Sequence, residues 1–190
     1  MLASLTNAGI LDPNKLEIIS YSLGGHTAGF IGAKFQEVTG RKLNRITAID
    51  PAGFCFRYRP PEYRLDETDA DFVDVIHSDV DGFGILAPLG HVDFYVMLKD
   101  ARYSFLPCFF VCRHLRAFQI WIKALRHPDG FVGLRCKSIH QARTGNCYHN
   151  YPMVTNVLGE KSDRGKRGIY YLPTTAFPPY YMGKSGIVRD

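Results

Sequence analysis

Short apolar runs and longer amphipathic stretches alternate along much of this chain. Leu16-Glu17-Ile18-Ile19-Ser20, Arg45-Ile46-Thr47-Ala48-Ile49 and Phe72-Val73-Asp74-Val75-Ile76-His77 are rich in β-branched side chains and stop at small or turn-forming residues. That pattern predicts strands. His91-Val92-Asp93-Phe94-Tyr95-Val96 alternates apolar and polar positions as a further strand, and Gly168-Ile169-Tyr170-Tyr171-Leu172 is a late candidate. Between the first two runs, Gly24, Gly25 and Gly29 open an amphipathic stretch that reaches about Val38 and closes at Gly40. Arg113 to about Leu125 carries apolar residues at 115, 118, 122 and 125, a helical spacing. Met1 to Ala8 reads as a short helix end stopped at Gly9, and Asp12-Pro13-Asn14 as a turn. Strands alternating with helices predict an α/β fold built on a mostly parallel sheet with flanking helices. No repeat, low-complexity tract or linker divides the chain, so residues 1–190 are read as one unit.

Composition narrows the class without choosing a function. With 46% hydrophobic and 22% charged residues the chain is globular rather than disordered. The net charge of +5 favours anionic partners, but Lys and Arg are spread along the chain and no run resembles a nucleic-acid arm. No apolar run approaches the ~20 residues of a membrane-spanning helix. The first residues lack the basic and apolar regions of a signal peptide. Five cysteines are nevertheless many for a reducing compartment.

Candidate chemistry begins at Ser20-Tyr21-Ser22-Leu23-Gly24, between a strand run and a helix run. A sharp turn there exposes the Ser22 hydroxyl above the sheet, and small residues two before and two after it relieve crowding. The usual pattern is G-x-S-x-G, and Ser20 replaces its first glycine. A hydroxyl needs an imidazole base oriented by a carboxylate, in chain order Ser, acid, His in this fold class. Asp50 follows the second strand, 28 residues after Ser22, and His114 lies 64 residues further on. On the residues alone, a strand-end turn aspartate and a helix-start histidine are equally available readings.

Several stretches together resemble the pancreatic-lipase-like family of serine lipases and phospholipases. They are Ser22-Leu23-Gly24-Gly25-His26-Thr27-Ala28-Gly29, Arg45-Ile46-Thr47-Ala48-Ile49-Asp50-Pro51-Ala52-Gly53 and Arg64-Leu65-Asp66, then Ala70 to Asp79, Gly90 to Tyr95 and Cys112-Arg113-His114-Leu115-Arg116-Ala117. The resemblance runs from about Leu5 to about Tyr181. It implies an α/β-hydrolase fold with Ser22 as nucleophile, Asp50 as acid, His114 as general base and the Leu23 N–H as one oxyanion donor. Relatives take a second oxyanion donor and several strands from before the nucleophile, so the chain reads as the C-terminal portion of such a domain.

The same resemblance implies further features. Asp66 and Asp69, with the carbonyls of Pro61 and Arg64, match a calcium loop of relatives; otherwise no cofactor is required. The two carboxylates are also what an acidic turn capping a short helix would use. Cys136 with Cys147 and Cys108 with Cys112 match disulfides of relatives, the second pair at the base of a lid. Cys55 is left over. So short a closure looks like phospholipase A1 or an insect-type member. The implied function is hydrolysis of lipid esters, triacylglycerol or phospholipid, at an interface by a secreted protein. An inactive lipid-binding or yolk-type relative, or a truncated product without activity, stays open. A zinc site from Cys108, Cys112 and His114 with Cys136, Cys147 or His149 is the rival reading of the cysteines.

Overall fold

The computed structural model describes residues 1–99 and 110–188, the side chain of Phe110 excepted. Seven strands form one sheet: β1 (Glu17–Tyr21), β2 (Arg45–Ile49), β3 (Val73–His77), β4 (Val92–Leu98), β5 (Val132–Cys136), β6 (Thr155–Val157) and β7 (Gly168–Thr174). Their spatial order is β1-β2-β3-β4-β7-β5-β6. The first five in that order are parallel, and β5 is antiparallel to both β7 and β6. The α/β expectation holds, with an antiparallel margin that the sequence pattern had not assigned.

Helix α1 (Leu2–Asn7) precedes β1, and α2 (Leu23–Thr39), α3 (Phe110–Arg126) and α4 (Ile139–Thr144) follow. Central strands of a parallel sheet are covered on both faces, which is why β2 and β3 are buried at every position. Val73 and Val75 pack with Ala28 and Phe35 of α2, whereas Phe72 and Ile76 pack with Ala117, Ile120 and Trp121 of α3. This alternation is the period of two of a strand. On the α3 face, Asp74 receives Arg45 through both carboxylate oxygens, at 3.0 and 2.6 Å, and the Thr47 hydroxyl at 2.7 Å. Buried charge is tolerated there because every member is hydrogen-bonded.

The helix read at Arg113 to Leu125 exists, yet its buried stripe is Ala117, Ile120, Trp121 and Ala124. Leu115, Phe118 and Leu125 stand exposed on another face. Cys136 and Cys147 are joined in a disulfide that closes β5 and α4 into one loop. Cys55 is free and exposed. The Cys108–Cys112 pairing falls outside the described residues because Cys108 does. A zinc site that uses Cys136 and Cys147 is ruled out by their disulfide, and His114 is engaged elsewhere.

Candidate active site

Ser22 sits at the joint between β1 and α2 with φ 57° and ψ −124°, a conformation that L residues rarely adopt. The joint is held from below: the Ser22 N–H donates to the Ile49 carbonyl at 3.0 Å, and its own carbonyl accepts the Gly25 and Ala52 N–H groups. Ser20 fits although glycine is usual there. Its hydroxyl donates to the Thr47 carbonyl at 3.1 Å, and a Cβ on Gly24 would lie an ordinary 3.8 Å from its Cβ. Gly25 is pressed against Pro51, where a Cβ would approach to 3.1 Å. Those glycines let α2 leave the strand at once, so the Leu23 N–H, the first of a long helix, has no intrahelical acceptor and lies next to Ser22.

Asp50 lies just past β2, fully buried, with φ 43°. Its Oδ1 accepts the N–H groups of Ser78 at 2.8 Å and Asp79 at 3.2 Å. Its Oδ2 faces Nδ1 of His114 at 2.8 Å. The remaining ring nitrogen of His114, Nε2, is 2.8 Å from Ser22 Oγ. The partners set the tautomer: Nδ1–H donates to the carboxylate, and Nε2 accepts the serine hydroxyl. The His114 side chain is 13% exposed, with Tyr21 and Phe83 against its ring at centroid distances of 4.7 and 5.6 Å. The Ser78 hydroxyl donates to the Arg113 carbonyl at 2.7 Å, tying the end of β3 to the turn of α3 that carries His114. Three residues spread over 92 positions are thus brought into one hydrogen-bonded line.

The pattern reading missed the residues that support this line. Asp79 is buried beside Asp50, and one of its oxygens accepts the Phe83 N–H at 2.8 Å. Burial pushes its carboxyl up, as does the Asp50 charge. The Tyr21 hydroxyl is pushed up by burial and then by Asp50 and Asp79. His26, inside the glycine-rich stretch, faces the Ala52 carbonyl through Nε2 at 2.8 Å and accepts the Leu65 N–H at Nδ1. Burial lowers its pKa, so it serves as a neutral bracket between α2 and the segment after Asp50. The signal available in sequence was only the density of polar residues next to strand ends.

Asp66 and Asp69 form the two halves of a capping box over the turn Glu67–Asp69. Asp66 Oδ1 accepts the Thr68 N–H at 2.6 Å, and Asp69 Oδ2 accepts the Asp66 N–H at 2.9 Å. The Pro61 carbonyl accepts the Arg64 N–H. The donors expected for calcium are therefore hard oxygens that the fold already employs, and no group of three or more His, Cys, Asp or Glu that could hold a metal occurs among the described residues.

A cleft of about 870 Å³ opens between residues 53–59 and 81–83, lined by Phe54, Cys55, Tyr58 and Phe83. Phe83 joins it to the His114 ring. The Arg57 guanidinium donates to the Gly82 and Gly84 carbonyls across its floor. No helix among the described residues is long and apolar enough to cross a membrane.

Comparison with known proteins gives one consistent answer. The lipase family model matches residues 1–97. Lipase member H-A of Xenopus laevis is 38% identical over 164 residues, which are 78% of this chain and 34% of that protein. Pancreatic lipase-related protein 3 of Homo sapiens is 33% identical over 176 residues, 80% of this chain and 37% of that protein. Inactive pancreatic lipase-related protein 1 of Homo sapiens is 33% identical over 159 residues, 72% of this chain and 33% of that protein. The chain spans about a third of the length of these relatives.

Proposed function

The chain belongs to the lipase family, and from that premise we propose that it carries the reacting groups of a serine-type lipid ester hydrolase. The observation that carries this reading is the line from Ser22 through His114 to Asp50, with both hydrogen bonds at 2.8 Å. His114 takes the Ser22 proton through Nε2 as Oγ attacks the ester carbonyl. Asp50 keeps the other ring nitrogen protonated and faces the imidazolium that forms. The Leu23 N–H and the positive end of α2 bind the developing oxyanion. His114 then returns its proton to the leaving alcohol, and an acyl group remains on Ser22. Water, deprotonated by the same nitrogen, releases the acid.

A lipid rather than a small soluble ester is supported by the surroundings of Ser22. Leu23 beside Ser22, Phe83 against the His114 ring and Phe118 against Tyr21 are exposed apolar side chains, and Phe54 and Phe83 line the cleft. The cleft is the place for the apolar part of the substrate. Phospholipid is preferred over triacylglycerol because only Phe109, Phe110 and Val111 separate Cys108 from Cys112 in the sequence. The Cys136–Cys147 disulfide goes with an oxidising, extracellular setting. Calcium at Asp66 and Asp69 would be a structural ion, not a reactant.

The test is covalent labelling by a fluorophosphonate. Label found on Ser22 and lost in Ser22→Ala supports the reading, and an unlabelled folded chain sinks it. The second reading, a lipid-binding protein without activity, is favoured by the 33% identity to a relative named inactive. It predicts vesicle binding with no label.

A further inference from the structure

Away from Ser22 the chain holds a second imidazole–carboxylate pair, and one difference between the two pairs decides their chemistry. His77 ends β3 and Asp93 lies on the adjacent strand β4, both buried, with Nε2 2.8 Å from Asp93 Oδ1. The other nitrogen, Nδ1, is 2.9 Å from the Ile85 carbonyl oxygen. A carbonyl oxygen only accepts, so Nδ1 carries a proton. A carboxylate also only accepts, so Nε2 carries one too unless Asp93 is itself protonated. Asp93 Oδ1 additionally accepts the Leu89 N–H at 2.9 Å, and Oδ2 accepts the Gly90 N–H at 3.2 Å. Both Asp93 carboxylate oxygens thus act as acceptors toward backbone N–H groups. The His114 ring differs because its Nε2 meets a hydroxyl, which can donate, and that ring is satisfied while neutral.

We propose that His77 is an imidazolium paired with the Asp93 carboxylate, and that the pair is a positioning device for Asp50. The proposal rests on the reading of Ser22, His114 and Asp50 given above. The connection between β3 and β4, residues 78–91, is tied to this pair along its second half. The Ile85 carbonyl meets His77, and the Leu89 and Gly90 N–H groups meet Asp93. Tyr95 stacks on the His77 ring at 4.4 Å and 8°, and its hydroxyl donates to the Leu86 carbonyl at 2.7 Å. The first half of the same connection supplies the Ser78 and Asp79 N–H groups that hold Asp50 Oδ1. Its middle is sewn to the residues after Asp50 by Ile85 N–H to the Pro51 carbonyl and Gly53 N–H to the Phe83 carbonyl. The connection is therefore a strap over Asp50, anchored at its far end by a buried ion pair. Parting those charges in the interior is costly, so the strap has one seat.

Two measurements on the full chain test this. Nitrogen NMR of the histidine rings at neutral pH counts their protons. Both His77 nitrogens are expected to be protonated, and a singly protonated His77 overturns the charged pair. The second measurement compares Asp93→Asn, His77→Gln and the milder Tyr95→Phe with the native chain. It follows the downfield Nδ1–H signal of His114 and the saturation kinetics of fluorophosphonate labelling. Asp93→Asn and His77→Gln are expected to lose the signal. They should also lower the maximal labelling rate roughly 100-fold at an unchanged half-saturating probe concentration. Tyr95→Phe should lower the same rate in the same direction, by less. Retention of both the signal and the maximal rate in every variant that folds overturns the positioning role. A native chain that takes no label defeats the hydrolase reading instead, and the His114 signal then still decides whether His77 and Asp93 hold Asp50 in place.

Discussion

A Cβ placed on Gly84 would lie 2.6 Å from Oδ1 of Asp50, well inside van der Waals contact. The strap from β3 to β4 can lie against the carboxylate only because residue 84 has no side chain. Gly84→Ala is expected to push Asp50 off the Ser78 and Asp79 amides. The maximal fluorophosphonate labelling rate of Ser22 should fall at least tenfold, and stability by about 1–3 kcal/mol in urea. An alanine variant that labels at the native rate would show that the strap has slack.

Asp69 makes stability depend on pH in an unusual direction. It is buried under α2, and burial pushes its carboxyl up to about 7. An unfolded aspartate titrates near 3.9, about three units lower. Between the two values the folded chain holds a proton that the unfolded chain has lost, so this group's contribution to stability falls as pH rises from about 4 to about 7. The loss is on the order of a few kcal/mol. Urea midpoints at pH 5 and pH 8 should differ more in the native chain than in Asp69→Asn. If calcium binds at Asp66 and Asp69, millimolar calcium should recover native stability at pH 8 and leave the variant unmoved. An equal pH response in both chains removes Asp69 from the explanation.

The Arg45–Asp74 pair should be among the costliest to break. Asp74→Ala leaves a buried guanidinium without its paired carboxylate, keeping the Gly159 carbonyl and the Phe72 and Trp121 rings, and a loss of about 3–5 kcal/mol is expected. Replacing both partners with apolar residues of similar volume should cost much less. Equal losses in the single and double variants would mean that volume, and not the stranded charge, sets the cost.

The exposed Leu115, Phe118 and Leu125 of α3 offer a way to test lipid contact separately from chemistry. Phe118→Gln should weaken flotation with phospholipid vesicles several-fold while a soluble fluorophosphonate still labels Ser22 at close to the native rate. Phe118 is half-exposed and its ring is 6.1 Å from Tyr21. Loss of soluble-probe labelling in this variant would place Phe118 in the support of His114 and not at an interface.

How much was legible in the sequence follows from how local each signal is. The runs at 16–20, 45–49 and 72–77 are rich in β-branched side chains over a strand's length, and strands stand at 17–21, 45–49 and 73–77. Ser22, Asp50 and His114 were legible as residue types in a known order, while their convergence is a property of the sheet. The strands at 132–136 and 155–157 were not legible. Gly133 and Arg135 break the apolar run of the first, and the second is only three residues long, so neither carries a periodic signal. On α3 the spacing 115, 118, 122, 125 is truly helical but marks a side where Leu115, Phe118 and Leu125 are exposed and Ile122 only partly buried, while the sheet-facing stripe mixes Ile120 and Trp121 with the small Ala117 and Ala124. The His77–Asp93 pair was illegible for a different reason: its meaning lies in two carbonyl-type acceptors that no sequence pattern announces.

The sheet distributes rigidity unevenly between Ser22 and Asp50. Among the described residues, β1 is hydrogen-bonded to β2 alone, whereas β2, which ends at Asp50, is flanked on both sides. Amide hydrogens of β1 should therefore exchange with solvent sooner than those of β2 and β3. Ser22 rides on the strand that opens first, and Asp50 on one of the last. On warming, Ser22 should drift out of register with His114 while the bulk of the sheet is still folded, so that loss of labelling precedes the global melt.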